Sequence, residues 1–162
     1  MKLRPRITFE PKFDIPDGFY LIQDSNEQKP LFKKSLPWIV QKPLSEGDYS
    51  ILGFENQVAI ERKALNDLYG SLGKGRERFE KELERLLPYT WKGLLIEGSE
   101  QDIFSRIVDY SGLHPNSLYH SLASLETKYL LHIYYAPTRK DGKWWVISRM
   151  IKLYKYLREG KL

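Results

Sequence analysis

Two short apolar runs constrain the fold of this chain more than any other feature. Trp91-Lys-Gly-Leu-Leu-Ile-Glu97 and Leu130-Leu-His-Ile-Tyr-Tyr135 have the length of strands, and their apolar residues do not alternate with polar ones. That is the pattern of strands buried on both faces. Between them, Pro115 to Glu126 places Leu118, Leu122 and Leu125 on one helical face, and after them Val146, Met150, Leu153 and Leu157 form the apolar stripe of a last helix. Strands alternating with helices predict an α/β fold.

The first half of the chain extends this alternation. Phe19 to Gln23, ending in Asp24, and Trp38 to Lys42 read as strands joined by a polar loop. Tyr49 to Leu52 and Gln57 to Ile60 read as the arms of a hairpin around Gly53 to Asn56. From Ala64 the period turns helical: Leu65, Leu68 and Leu72 share a face, and Gly70 with Gly73-Lys-Gly75 ends the segment. A longer amphipathic helix buries Phe79, Leu83, Leu86 and Leu87 and stops at Pro88. Residues 1–17 carry Pro5, Pro11 and Pro16 without periodicity, so an extended N-terminal arm is expected there, followed by one domain over 18–162. With 162 residues and 41% hydrophobic composition, the chain is long enough for one core.

Composition then narrows the chemistry. There is no cysteine, which removes disulfides, thiolate nucleophiles and Cys-ligated zinc, and the three histidines (His114, His120, His132) offer little for a His-rich site. Any metal is expected to be held mainly by oxygen. No run of about 18 apolar residues and no apolar h-region occur, so neither membrane nor secretion is expected and a cytoplasmic location is. Of the net charge of +5, the segment Arg139 to Leu162 carries +6. Such a concentration fits either a polyanion partner or a solvated helix face. Within it Arg149, Lys152 and Lys155 recur at three-residue spacing on the flank left exposed by the apolar stripe, and form a candidate DNA contact.

The carboxylates gather at strand ends: Asp24 and Glu27 after the first strand, Asp48 opening the third, Glu61 leaving the fourth. The hairpin brings Asp48 and Glu61 together, and in Glu61-Arg62-Lys63 the acid and the lysine project from the same side of the strand. Two adjacent carboxylates are costly unless a cation neutralises them, so this pair with Lys63 alongside is a candidate Mg²⁺ site suited to phosphodiester hydrolysis. The alternative, an ion-paired surface segment, is common for such a triplet taken alone.

Gly47-Asp48-Tyr49, Val58-Ala-Ile-Glu61-Arg62-Lys63, Asp67-Leu68, Ser71-Leu72 and Gly75-Arg76 together resemble, in order and spacing, the XPF/Mus81-type structure-specific nuclease domain with its GDxnERKxxxD signature. Asp24-Ser25-Asn26-Glu27 is similar to that family's Asp-x-Arg-Glu motif, with Asn26 where the family usually has Arg. The resemblance covers roughly residues 19–137 and implies a restriction-endonuclease-like fold with a central mixed β-sheet flanked by helices. It also implies Mg²⁺-dependent cutting of DNA, with Mn²⁺ able to substitute.

Carried over to this chain, the resemblance makes Asp48 and Glu61 the main metal ligands, with the Arg62 carbonyl completing the protein shell, and Lys63 the catalytic base or charge stabiliser. Asp24 and Glu27 become further ligands or hydrogen-bonding supports. Asp67 either orients its helical turn or touches substrate. Arg62 and Arg76 become candidate DNA contacts, an ion pair with a neighbouring Glu being the other role open to Arg76. Glu97, which ends a buried strand as Asp24 does, could approach the cluster from the next strand. Relatives carry a helix-hairpin-helix module or a helicase, and this chain is expected to be a small stand-alone bacterial or phage-like member, its DNA selectivity coming from a homodimer or a partner protein. Two other readings stay open: a catalytically idle DNA-binding or assembly subunit, and Holliday-junction or restriction-type cutting on the same fold.

Overall fold

The computed structural model describes residues 10–105 and 112–162. Residues 1–9 of the expected arm lie outside them; residues 10–16 have no helix or strand, and Phe13 and Ile15 pack against the core.

The strands are β1 (Leu21–Asp24), β2 (Ile39–Lys42), β3 (Tyr49–Ile51), β4 (Val58–Ala64), β5 (Trp91–Glu97) and β6 (His132–Ala136). The helices are α1 (Leu65–Leu72), α2 (Arg76–Arg85), α3 (Glu100–Ser105), α4 (Pro115–Tyr129) and α5 (Arg139–Arg158). One mixed six-stranded sheet runs in the order β2-β1-β3-β4-β5-β6. β1 is parallel to β2 and antiparallel to β3, β3 is antiparallel to β4, and β4, β5 and β6 are parallel. The expected central mixed sheet between helices is therefore present.

Each face of the sheet has its own core. On one, α5 buries Val146, Met150 and Tyr154 against Leu21, Tyr49, Ile51, Val58, Ile60 and Leu95. On the other, α1, α2 and α4 bury Leu68, Phe79, Leu83 and Leu122 against Ala59, Leu94 and Ile96. β4 shows why this matters for chemistry. Val58 and Ile60 face α5 and Ala59 faces α1 and α2, so alternation sends Glu61 and Lys63 to the α1/α2 layer and Arg62 to the α5 layer.

The structure moves some boundaries for local reasons. α4 continues three residues past Glu126, because Leu130 takes a left-handed conformation (φ 53°) and its N–H caps the Glu126 carbonyl; β6 therefore starts at His132. α5 starts at a capping box in which the Thr138 hydroxyl accepts from the Asp141 N–H and the Asp141 carboxylate accepts from the Thr138 N–H. His114 accepts the Asn116 N–H at 3.1 Å and thereby caps α4, consistent with its place in the loop leading into that helix.

Candidate active site

The site forms where β3 begins and β4 loses its apolar character. Gly47, at φ +76°, turns the chain into Asp48; a Cβ at residue 47 would lie 3.1 Å from the Ile60 carbonyl oxygen. The Asp48 N–H donates to that carbonyl at 2.8 Å, and the Tyr49–Ile60 pairing sets Asp48 opposite Glu61, as the hairpin predicts. Asp48 Oδ2 accepts the Arg62 N–H at 2.7 Å. Glu61 Oε1 accepts from Lys63 Nζ at 3.1 Å, and the same ammonium stands 4.9 Å from the centre of the Phe79 ring. The lysine thus sits between Glu61 and the Phe79 ring of α2.

Asp24 is tied to the same corner: its N–H donates to the Asp48 carbonyl at 2.8 Å, and its Oδ1 accepts the Leu44 N–H at 3.0 Å. Asp24, Gly47, Glu61 and Lys63 line one cleft of about 260 Å³, together with Phe79, Glu82 and Leu83 of α2 and the ion-paired Arg85 and Glu46.

The electrostatics of this corner are unfavourable to two free carboxylates. Burial, reinforced by the charge on Glu61, pushes the Asp48 carboxyl up to about 8 against the opposing Arg62 N–H. Burial likewise raises Glu61, outweighing the pull of Lys63. Among the described residues, no group of three or more His, Asp or Glu side chains is gathered tightly enough to hold a metal by itself. Mg²⁺ does not need one: it is usually bound through one or two carboxylates and keeps several waters. A hard oxygen pair whose members resist sharing negative charge fits such an ion.

The neighbouring residues divide among the roles that the sequence left open. Glu27 does not face the cleft as a free ligand. Its carboxylate takes Arg62 Nε at 3.0 Å and Nη2 at 2.7 Å, together with the Lys29 N–H at 2.9 Å. Burial alone would raise its carboxyl; the Arg62 hydrogen bonds, the Lys29 N–H and the charges of Arg62 and Arg139 hold it below the usual range instead. Arg62, expected as a DNA contact, is engaged within the protein. Its guanidinium lies on the α5 layer, its side chain is 9% exposed, and Nη1 donates to Glu97 Oε2 at 2.8 Å. Glu97 approaches the site only through this arginine. Arg76 pairs with Glu80 at 2.8 Å and donates to the Ser121 hydroxyl, the ion-paired role open to it in the sequence. Asp67 is exposed in the first turn of α1, where its charge complements the helix dipole. Arg149, Lys152 and Lys155 are exposed on α5, across the sheet from Glu61 and Lys63.

Sequence reasoning missed Arg139. Its Nη1 donates to Glu97 Oε1 at 2.8 Å, and its Nη2 to the carbonyls of Lys29 and Pro30, each at 3.1 Å. The Thr138-x-x-Asp141 box could have located the start of α5, but nothing in the sequence ties its first residue to a strand end 42 positions earlier.

A mixed sheet sandwiched between helices, with an Asp and a Glu-x-Lys on adjacent antiparallel strands, is the restriction-endonuclease-like arrangement. The chain belongs to the ERCC4 domain family, whose profile matches residues 19–147. The fold is similar to that of XPF from Aeropyrum pernix, with a TM-score of 0.63 and 24% identity over 84% of this chain and 65% of that one. It is also similar to XPF from Aeropyrum pernix in complex with DNA, with a TM-score of 0.60 and 21% identity over 84% of this chain and 64% of that one. The alignments thus span just under two thirds of the length of these solved chains. No curated protein shows significant sequence similarity to the chain. Among the described residues, no helix is long and apolar enough to cross a membrane.

Proposed function

We propose that this chain is a divalent-metal-dependent DNA endonuclease, with Mg²⁺ as the natural ion and Mn²⁺ able to replace it. The observation that carries the reading is the placement of Asp48 opposite Glu61 on neighbouring strands, with Lys63 at 3.1 Å from Glu61 beside the cleft that Asp24, Glu61 and Lys63 line. Asp48 and Glu61 would hold the ion, with Asp24 at the rim and the Arg62 carbonyl completing the protein shell. Such an ion supplies Lewis acidity toward a nonbridging phosphate oxygen and lowers the pKa of an attacking water. Lys63, fixed between Glu61 and the Phe79 ring, places a positive charge where negative charge develops on the phosphate and can hydrogen-bond the nucleophile. Glu27 and Arg62 support the strand that carries the ligands. Arg149, Lys152 and Lys155 offer a second, electrostatic contact to DNA on the opposite layer.

Membership of the ERCC4 domain family and the likeness to a fold seen in complex with DNA support DNA as the substrate, with flap, fork or junction DNA as the expected structures. Cleavage of end-labelled duplex, single strand, flap, fork and four-way junction in Mg²⁺, Mn²⁺ or EDTA tests this. The expectation is metal-dependent cutting of at least one branched substrate, abolished by EDTA. Failure to cut any of them in either metal would overturn the reading.

A further inference from the structure

We propose that Arg139 is a positioning residue for the Asp48–Glu61–Lys63 site, acting from the opposite layer of the fold through Glu97 and Arg62; this rests on the function proposed above. A continuous set of contacts runs from α5 to Asp48. Arg139, the first residue of α5, grips Glu97 Oε1 at the end of β5. The other oxygen of Glu97 holds Arg62 Nη1, and the remaining Arg62 donors hold Glu27 in the loop after β1. The backbone N–H of Arg62 donates to Asp48 Oδ2. Arg139 also closes the set on itself, because its second nitrogen clamps the Lys29 and Pro30 carbonyls of the same loop that carries Glu27.

Exposure shows which end anchors which. The side chains of Glu27 and Arg62 are 6% and 9% exposed and that of Glu97 16%, whereas Arg139 is 45% exposed. Arg139 is the solvent-side end of an otherwise buried ionic set. Planar bidentate donation lets one guanidinium serve a carboxylate and two carbonyls together, which an ammonium cannot reproduce in the same geometry. The capping box at Thr138 and Asp141 sets the first turn of α5, so the arginine is presented from a fixed point. Without Arg139, Glu97 loses a partner and the 29–30 segment loses its clamp. The orientation of Arg62, and with it the N–H that aims Asp48, is then held by fewer contacts.

The test compares wild type with Arg139→Gln and Arg139→Lys. Hydrogen–deuterium exchange of the metal-free proteins reports the geometry directly: peptides covering residues 25–31 and the amide of Arg62 exchange faster in Arg139→Gln, while the α2 and α4 cores are unchanged. In Mn²⁺-supported cleavage, kcat falls by about tenfold, the lower end of what loss of an outer-shell partner of a metal site costs. KM for DNA is held, and Arg139→Lys recovers part of the loss. Unchanged exchange at 25–31 and Arg62 would overturn the proposal, as would unchanged kcat in an active enzyme. A rise in KM at constant kcat would overturn it in favour of a direct DNA contact, and exchange raised throughout the protein in favour of a merely structural role. If wild type cuts no DNA, the proposed function fails, and the exchange data alone decide whether Arg139 governs the geometry of this corner.

Discussion

Replacing Arg62 by Met tests the ionic set beneath the site. The side chain is close in length to arginine but carries no charge, so the perturbation removes the donors and leaves Glu27 and Glu97 in place. Glu27 is 6% exposed and held by two Arg62 hydrogen bonds, so Arg62→Met leaves a buried carboxylate whose remaining partner is a single backbone N–H. Breaking one side of such a pair costs about 3–5 kcal/mol. For a domain of this length each kcal/mol lowers Tm by ~2–4 °C, so a loss of roughly 6–20 °C is expected at pH 7.

The pH dependence follows from Glu27. In wild type its carboxyl is held below the ordinary value, so its contribution to stability is present above the unfolded value of about 4.3 and is lost as pH falls through the folded value. In Arg62→Met only the Lys29 N–H and the charge of Arg139 still oppose burial, so the folded value rises from its wild-type position. The destabilisation therefore grows as pH rises from the wild-type folded value toward that of the variant and shrinks below it. Urea unfolding at pH 4, 5.5 and 7 measures the difference. The double variant Arg62→Met/Glu27→Met is expected to recover much of the pH 7 loss, because no buried charge is then left unpaired. A loss under about 1 kcal/mol at pH 7, or an equal loss at pH 4 and pH 7, would show that Arg62 does not hold a buried Glu27 charge.

Asp48→Asn is expected to stabilise the metal-free protein at pH 8: the wild-type carboxyl is raised to about 8, so wild-type stability declines as pH climbs from about 4 toward that value, and thermal unfolding of the variant should show a shallower decline, with the raised Glu61 accounting for what remains. Conversely, Mg²⁺ or Mn²⁺ should raise the Tm of wild type and do so much less for Asp48→Asn; equal shifts would place the ion elsewhere. Changing Arg149, Lys152 and Lys155 together to Gln should weaken duplex binding and flatten the slope of log K against log salt by up to about three units, measured by fluorescence anisotropy; an unchanged slope refutes the α5 contact. Gly93→Ala should destabilise by about 1–3 kcal/mol in urea unfolding, because its Cβ would stand 2.8 Å from Trp145 and 2.9 Å from Trp91, both ring atoms of side chains packed in the core.

The sequence carried those parts of the fold and site that depend on local pattern. β5 matches the apolar run residue for residue, and the pairing of Asp48 with Glu61 follows from hairpin register. The opposite fates of Arg62 and Lys63 also follow from alternation along β4, but their partners do not. Nothing local says that Glu27, 35 residues away, turns to the arginine instead of the cleft, or that Arg139 crosses to Glu97. Those contacts depend on a parallel β1–β2 connection and on α5 returning over the other face, which no short-range pattern encodes. The late start of β6 was hidden for a different reason: Leu130 adopts a left-handed cap that glycine would have advertised. The short helix α3 has a local cue, the mutual capping of Ser99 and Asp102, in a segment too brief to show helical periodicity.

Asp48, Glu61 and Lys63 are proposed above as a metal-supported centre for phosphodiester hydrolysis. Its most direct test is single-turnover cleavage of an end-labelled branched DNA in Mn²⁺ by wild type and Glu61→Gln, at matched DNA occupancy and with folding verified by circular dichroism. Glu61→Gln keeps the size of the side chain and removes the charge that an ion would need. The expected result is metal-dependent cutting by wild type and no detectable cutting by Glu61→Gln bound to the same DNA; cutting by the folded variant at the wild-type rate would contradict the assignment.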